Sequence, residues 1–470
     1  MAASEHGHPD KDAIMSEPVD SNREGNLEAP TRHPLGQDDP AFWNRAALDA
    51  ELERVFNICH GCRRCVSLCH AFPTLFDLID ESKTMEIDGV DKTDYPKVVE
   101  QCYLCDLCYQ TKCPYTPPHP WNVDFPHLML RAKAVDFREH GAPLSAKILS
   151  NTRAVGKLAS IPVVVQAVNA ANRNKAARKL LEKTLGVDAD ARVPEYHAPT
   201  ARTRLKKLDG AGEAQPTGRT RGKLAIFATC YCDHSEPGVV EDLAAVLAHN
   251  AIPNRLVERE SCCGMPKLEL GDLDSVAALK EKNIPALARL AREGYAILAP
   301  IPSCALMYKQ ELPMLFPGDA DVQAVQEAMF DPFEYFALRA KDGLLETDFS
   351  TPLGNVSYHV SCHLRVQNVG QKTREVLETI PGTHVHTIER CSGHAGTWGV
   401  KKEFHQTAMK IGRPVFRQMG EHPQGEPNWI TSDCQLAGHH IEQGMGEAGR
   451  SVEGRLAHPL TLLRIAYGLQ

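Results

Sequence analysis

Four cysteines fall within eleven residues in CHGCRRCVSLC, at Cys59, Cys62, Cys65 and Cys69. Four more fall within twelve in CYLCDLCYQTKC, at Cys102, Cys105, Cys108 and Cys113, with Pro114 next. The spacings are C-x2-C-x2-C-x3-C and C-x2-C-x2-C-x4-C-P. Three thiolates two residues apart can wrap three corners of a cubane, while the fourth lies too far round the turn and reaches the other cluster. The spacing therefore predicts one [4Fe-4S] cluster on Cys59, Cys62, Cys65 and Cys113, and a second on Cys102, Cys105, Cys108 and Cys69. Zinc also takes C-x2-C pairs, but it seldom strings three cysteines this way and then repeats the arrangement. Arg63, Arg64 and Lys112 lie between these cysteines, either offsetting thiolate charge or facing solvent. His60 and His70 are donors to a cluster or plain surface residues.

The other eight cysteines belong to an internal repeat. RGKLAIFATC ends on Cys230 and GNVSYHVSC on Cys362, each a short strand-like run. The first half continues through Cys262, Cys263 and Cys304, the second through Cys391, Ser392 and Cys434. Gly264 and Gly393 follow the middle pairs, where a residue without Cβ lets backbone N–H groups approach sulfur. Helical stretches such as VVEDLAAVLAHN separate the strands, which implies two α/β units with parallel sheets. Ligands from the carboxyl ends of such strands converge on one crevice.

Elements around these cysteines follow from composition. Residues 1–40 are Pro-, Gly- and acid-rich and are expected to form a disordered tail. A helix over AFWNRAALDAELERVF, burying Phe42, Leu48, Leu52 and Val55, delivers the chain to Cys59. The cysteine-rich domain spans 41–140, a helical segment broken near Pro162 spans 141–191, and a Pro/Gly/Arg-rich linker spans 192–221. The repeats occupy 222–350 and 351–470. The fold class expected is α+β multidomain: an α-helical double [4Fe-4S] ferredoxin-like domain followed by two α/β cysteine-rich repeats.

At 470 residues and 16 cysteines, the chain does not need disulfide staples. Its start, MAASEHGHPDKD, lacks the basic head and apolar run of an export signal, so a cytoplasmic location is expected. No run of about 18 apolar residues predicts a membrane span. LASIPVVVQAVNAA, flanked by Lys and Arg, is either a core helix or a peripheral contact with the inner face of a membrane or with a partner protein. A net charge of -8 without a basic block excludes nucleic acid as a partner.

The motifs CHGCRRC, CPYTPPHPW, CCGMPKLELGD, IPSCALMYKQELP, SCH and CSGHAGTWG resemble those of the iron-sulfur component (GlpC type) of anaerobic glycerol-3-phosphate dehydrogenase and its relatives. More broadly the chain resembles the cysteine-rich (CCG) proteins, including the catalytic component of heterodisulfide reductase and the iron-sulfur components of glycolate oxidase and lactate utilisation systems. In heterodisulfide reductase each repeat holds a noncubane cluster using an isolated cysteine, an adjacent pair and a C-x2-C. Carried over, Met307 stands where the first repeat's last cysteine is expected, and Ser392 and Ala437 replace two in the second. Cys230, Cys262, Cys263 and Cys304 still suffice for a third iron-sulfur cluster, with Cys232 as a substitute ligand. Cys362, Cys391 and Cys434 need a further ligand from His363, His394 or Ser392. That set is open to zinc as much as to iron, or to an empty packed remnant.

The resemblance implies electron handling. Reducing equivalents would pass from a flavoprotein dehydrogenase or reductase partner to a quinone or other carrier. No G-x-G-x-x-G follows a strand, so a flavin must come from another polypeptide. Catalysis by this chain alone is then not expected. Two alternatives are a disulfide, thiol or peroxide-linked reductase built on the first repeat, and an electron donor to a rubrerythrin-like partner. A non-redox zinc module is the third.

Overall fold

The computed structural model describes residues 29–208, 210–450 and 454–469. An α-helical N-terminal region leads into two α/β units. Asn44 caps helix α1 (Arg45–Cys62) through its side chain, and Leu48, Leu52, Val55 and Phe56 turn one face inward. Helix α2 (Ala71–Asp80) buries Phe72, Leu75, Phe76 and Ile79. Helices α3 (Tyr95–Gln101) and α4 (Leu107–Thr111) flank the second cysteine run, and α5 (Phe125–His140) packs on α1. The first two cysteines thus leave from the last turn of α1, which ends at Arg63 in the left-handed region.

The segment 141–191 forms four short helices: α6 (Leu144–Leu149), α7 (Thr152–Ala159), α8 (Val164–Arg173) and α9 (Lys175–Leu185). No single helix among the described residues is long and apolar enough to cross a membrane; α7 and α8 pass that test only as a pair, bent by 109°. A core helix would bury the apolar stretch here. Leu158, Ile161, Val163 and Val164 are instead exposed, and only Ala159 and Val165 of this stretch are buried hydrophobics.

Two parallel sheets follow. The first has the order β2-β1-β3-β4, with β1 (Leu224–Ile226), β2 (Asn254–Leu256), β3 (Ala296–Leu298) and β4 (Met329–Phe330). Leu224 pairs with Asn254 on one side and Ala296 on the other. The second has the order β6-β5-β7, with β5 (Gly354–His359), β6 (Thr383–Ile388) and β7 (Trp429–Ser432). The central strands β1 and β3 are buried throughout, as a parallel sheet covered on both faces demands. Helices Pro237–His249 and Leu273–Arg292 provide first-unit crossovers, and His405–Met419 joins β6 to β7.

Two stretches expected to be loose are packed. The expected tail lies partly outside the described residues, but its end is tied down. Thr31 N–H donates to the Pro117 carbonyl (2.9 Å), Leu35 N–H to that of Met314 (3.0 Å), and Arg32 bridges Asp124 (2.8 Å) and Asp106. The linker of 192–221 is a strap across the first unit. His197 N–H donates to the His234 carbonyl, Arg202 N–H to Asp233, and Arg221 to the Tyr295 carbonyl. Proline and glycine suppress helix and strand without preventing an irregular backbone from finding partners.

Candidate functional site: thiols at strand ends and domain junctions

Every repeat cysteine follows the carboxyl end of a parallel strand or the first turn beyond it. Cys230 follows β1, Cys262 and Cys263 follow β2, and Cys304 follows β3; Cys362, Cys391 and Cys434 follow β5, β6 and β7. In open α/β sheets this edge is where sites assemble.

The sulfurs fall into distinct groups. Cys59 faces Cys113, Cys65 and Cys62, and burial followed by those neighbours raises its thiol well above the ordinary value. These four line one cavity of about 310 Å³ together with Arg63, Arg64 and Tyr115. Cys69 faces Cys105 and Cys102. Cys108 faces Cys105 and Cys102 first and then Cys65 and Cys69. In the first repeat Cys230, Cys262, Cys263 and Cys304 form a hydrogen-bonded thiol set. Bonds from Cys230 and Cys263, against burial, hold Cys262 well below the ordinary thiol value. Thr152 of α7 places its hydroxyl 3.2 Å from Cys230 Sγ. Cys232 is turned away, bonded to Thr229.

The second repeat is arranged differently. Cys362 bonds to Cys105 of the N-terminal region and to Cys391. The Tyr103 hydroxyl lies 3.2 Å from Cys391 Sγ, and Gly393 N–H donates to the same sulfur at 3.4 Å. The Cys362 bond first, then, against burial, the Tyr103 and Gly393 donors bring Cys391 down to about 6. Cys434 stands apart, beside Asp433 and Cys304. His363 turns to the Leu104 carbonyl and His394 packs 6.0 Å from the His440 ring, while Ser392 is buried.

Among the described residues, no group of three or more His, Cys, Asp or Glu side chains is arranged to hold a metal ion. This corrects the iron-sulfur and metal-binding reading. It applies to the two [4Fe-4S] clusters on Cys59, Cys62, Cys65, Cys113 and on Cys102, Cys105, Cys108, Cys69. It applies equally to the third cluster on Cys230, Cys262, Cys263 and Cys304, and to zinc at Cys362, Cys391 and Cys434. The physical reason is visible in the thiols. A metal takes thiolate, whereas burial holds Cys59, Cys69, Cys102 and Cys108 toward the neutral thiol. In the repeats, thiol–thiol hydrogen bonds occupy the sulfur lone pairs of Cys230, Cys263 and Cys362.

Several polar groups that spacing gives no reason to notice complete these sites. Tyr103, an intervening residue of the second run, crosses to the second repeat, where Trp398 donates back to the Glu100 carbonyl at 3.1 Å. Glu260, wholly buried before Cys262, accepts from Ala228 N–H (2.9 Å) and faces Arg202 (3.2 Å) and Arg153 (4.0 Å). Burial outweighs both arginines and pushes it up to about 7. Glu269, between Lys133 and Lys401, is raised to about 7 for the same reason.

The family model of the cysteine-rich domain, CCG, matches residues 224–309 and 356–442, the two α/β units just described. The chain carries two CCG domains. It is 26% identical over 348 residues to the C component of anaerobic glycerol-3-phosphate dehydrogenase of Escherichia coli, covering 73% of this chain and 82% of that one. It is 28% identical over 290 residues to the B component of fumarate reductase (CoM/CoB) of Methanothermobacter marburgensis, covering 60% of this chain and 54% of that one. Lactate utilization protein A of Oceanobacillus iheyensis is 25% identical over 205 residues, covering 43% of this chain and 80% of the relative. The kinship is distant and spread over several proteins, so the CCG domains support a general oxidoreductase or electron-transfer role and no single identity.

Proposed function

We propose that this CCG-domain protein is an electron-transfer component, taking reducing equivalents from a flavoprotein dehydrogenase and passing them to a quinone or another carrier. The observation that carries this reading is continuity. The second cysteine run meets the second CCG domain at Cys105 and Cys362, and Cys108 faces both cysteine runs. Redox-active cysteines Cys59 to Cys113, with Cys230, Cys262, Cys263 and Cys304, are the residues assigned to it. The test is anaerobic co-purification of the full chain with a flavoprotein whose substrate-reduced flavin is reoxidised by soluble quinone only in its presence. Quinone reduction that is equally fast without the chain defeats the reading.

Peripheral membrane contact belongs to the same proposal. Leu144, Leu158, Val163 and Leu180 are all more than 60% exposed on α6 to α9. Lys147, Lys157, Lys175, Lys179 and Lys183 are exposed among them. An apolar surface ringed by lysine suits an anionic bilayer, at about 1 kcal/mol per basic residue near the surface. The full chain should sediment with phosphatidylglycerol vesicles at low salt and not with phosphatidylcholine vesicles. Leu158→Asp combined with Val163→Asp should abolish sedimentation while leaving the Tm unchanged. Binding that survives the double substitution contradicts it.

A further inference from the structure

The second CCG domain departs from the first in where its sulfurs go. Cys362 and Cys391 do not close on Cys434; they form a pair at the junction with the N-terminal region, apart from the Cys230–Cys304 set. Three donors converge on Cys391: the Cys362 thiol, the Tyr103 hydroxyl at 3.2 Å and Gly393 N–H at 3.4 Å. Such a cradle favours negative charge on sulfur, the form that attacks electrophiles. Glu389 and Arg390, just before it, are exposed, and Cys391 itself is half-buried. Solvent therefore reaches the sulfur through a narrow opening that admits a small oxidant.

We propose that Cys391 and Cys362 are a hydroperoxide-reactive dithiol, with Cys391 the attacking sulfur and Cys362 the resolving one. Cys391 thiolate attacks one oxygen of hydrogen peroxide; an S–O bond forms, the O–O bond breaks, and hydroxide leaves and takes a proton from solvent. The Cys362 thiol then attacks the Cys391 sulfenic sulfur, forming the disulfide and releasing water. The two sulfurs together lose two electrons, and the peroxide is reduced to two waters. Tyr103 is a positioning residue, since it acts through Cys391. The pair ties the N-terminal region to the second CCG domain because the same Cys362 also touches Cys105. This chemistry stands apart from electron transfer to a carrier.

The test treats the fully reduced chain with equimolar hydrogen peroxide, blocks remaining thiols and maps the peptides by mass spectrometry. The expected product joins Cys362 to Cys391 with loss of two hydrogens. In Cys362→Ser, dimedone should capture a sulfenic acid on Cys391. Tyr103→Phe should slow Cys391 oxidation about tenfold, the worth of one hydrogen bond to a charged sulfur. A first oxidation at any other cysteine with Cys391 still reduced, a link from Cys362 to Cys105 in its place, or an unchanged rate in Tyr103→Phe overturns the proposal.

Discussion

Gly393→Ala is expected to lower the Tm by roughly 10 °C or more, whereas Gly264→Ala, at the equivalent position of the first CCG domain, costs far less. Both glycines have positive φ, +81° and +108°. For any other L-residue that conformation costs about 1–2 kcal/mol. The surroundings decide the rest. A Cβ at Gly393 would lie 1.9 Å from the Ala408 carbonyl oxygen and 3.1 Å from the Gly412 nitrogen, both backbone atoms of the helix His405–Met419. That helix packs on β5 and β6 and cannot retreat without opening the sheet. At Gly264 the nearest atom is Met307 Cε at 3.3 Å, the end of a flexible side chain that can swing aside. Strain plus backbone overlap amounts to more than about 4 kcal/mol, against a typical domain stability of about 5–15 kcal/mol. Calorimetry on the two variants checks the asymmetry, and equal losses would contradict the close approach at Gly393.

Raising the pH from 6.5 to 8 should destabilise the protein by a few kcal/mol. Four buried carboxyls carry the effect: Glu260 and Glu269, raised to about 7, and Glu311 and Asp331, raised to about 8, in each case chiefly by burial. Between their ordinary values and these raised ones the folded chain holds protons that the unfolded chain has released. Stability therefore falls as pH rises through this window. Histidines act in the opposite sense at lower pH. His359, His440 and His458 are lowered to about 4 and His394 to about 3, again chiefly by burial, so the unfolded chain binds the extra protons and stability rises with pH up to about 6.5. The two sets offset each other between about pH 4.5 and 6.5, and above that only the carboxyls remain. Thermal melts across this range should show the decline, and Glu269→Gln with Glu311→Gln should flatten it. A Tm that holds or rises from pH 6.5 to 8 would contradict these protonation states.

The two α/β units were legible in the sequence because each strand is a short apolar run ending near a cysteine, as LAIF before Cys230 and YHV before Cys362. Helix α1 was legible in its apolar period. The meeting of Cys105 with Cys362 was not, since it depends on how two surfaces distant in sequence dock on each other, and no local pattern encodes that. The exposure of Leu158 to Val164 was equally hidden, because the same hydropathy serves a core or a surface stretch. Composition misled at 192–221, where Pro and Gly mark irregular backbone but not loose backbone. In the cysteine runs, spacing speaks to which sulfurs can be neighbours. It does not encode their protonation or their mutual geometry, and there the metal-binding expectation failed.

The measurement that bears most directly on the electron-transfer role is anaerobic voltammetry of the intact chain, alone and as Cys262→Ser and Cys105→Ser variants. The account predicts reversible electron uptake, loss of one wave with Cys262 and of a different wave with Cys105, and reoxidation of the reduced protein by a soluble quinone. A chain that takes up no electrons reversibly, or whose waves are indifferent to both substitutions, would contradict it.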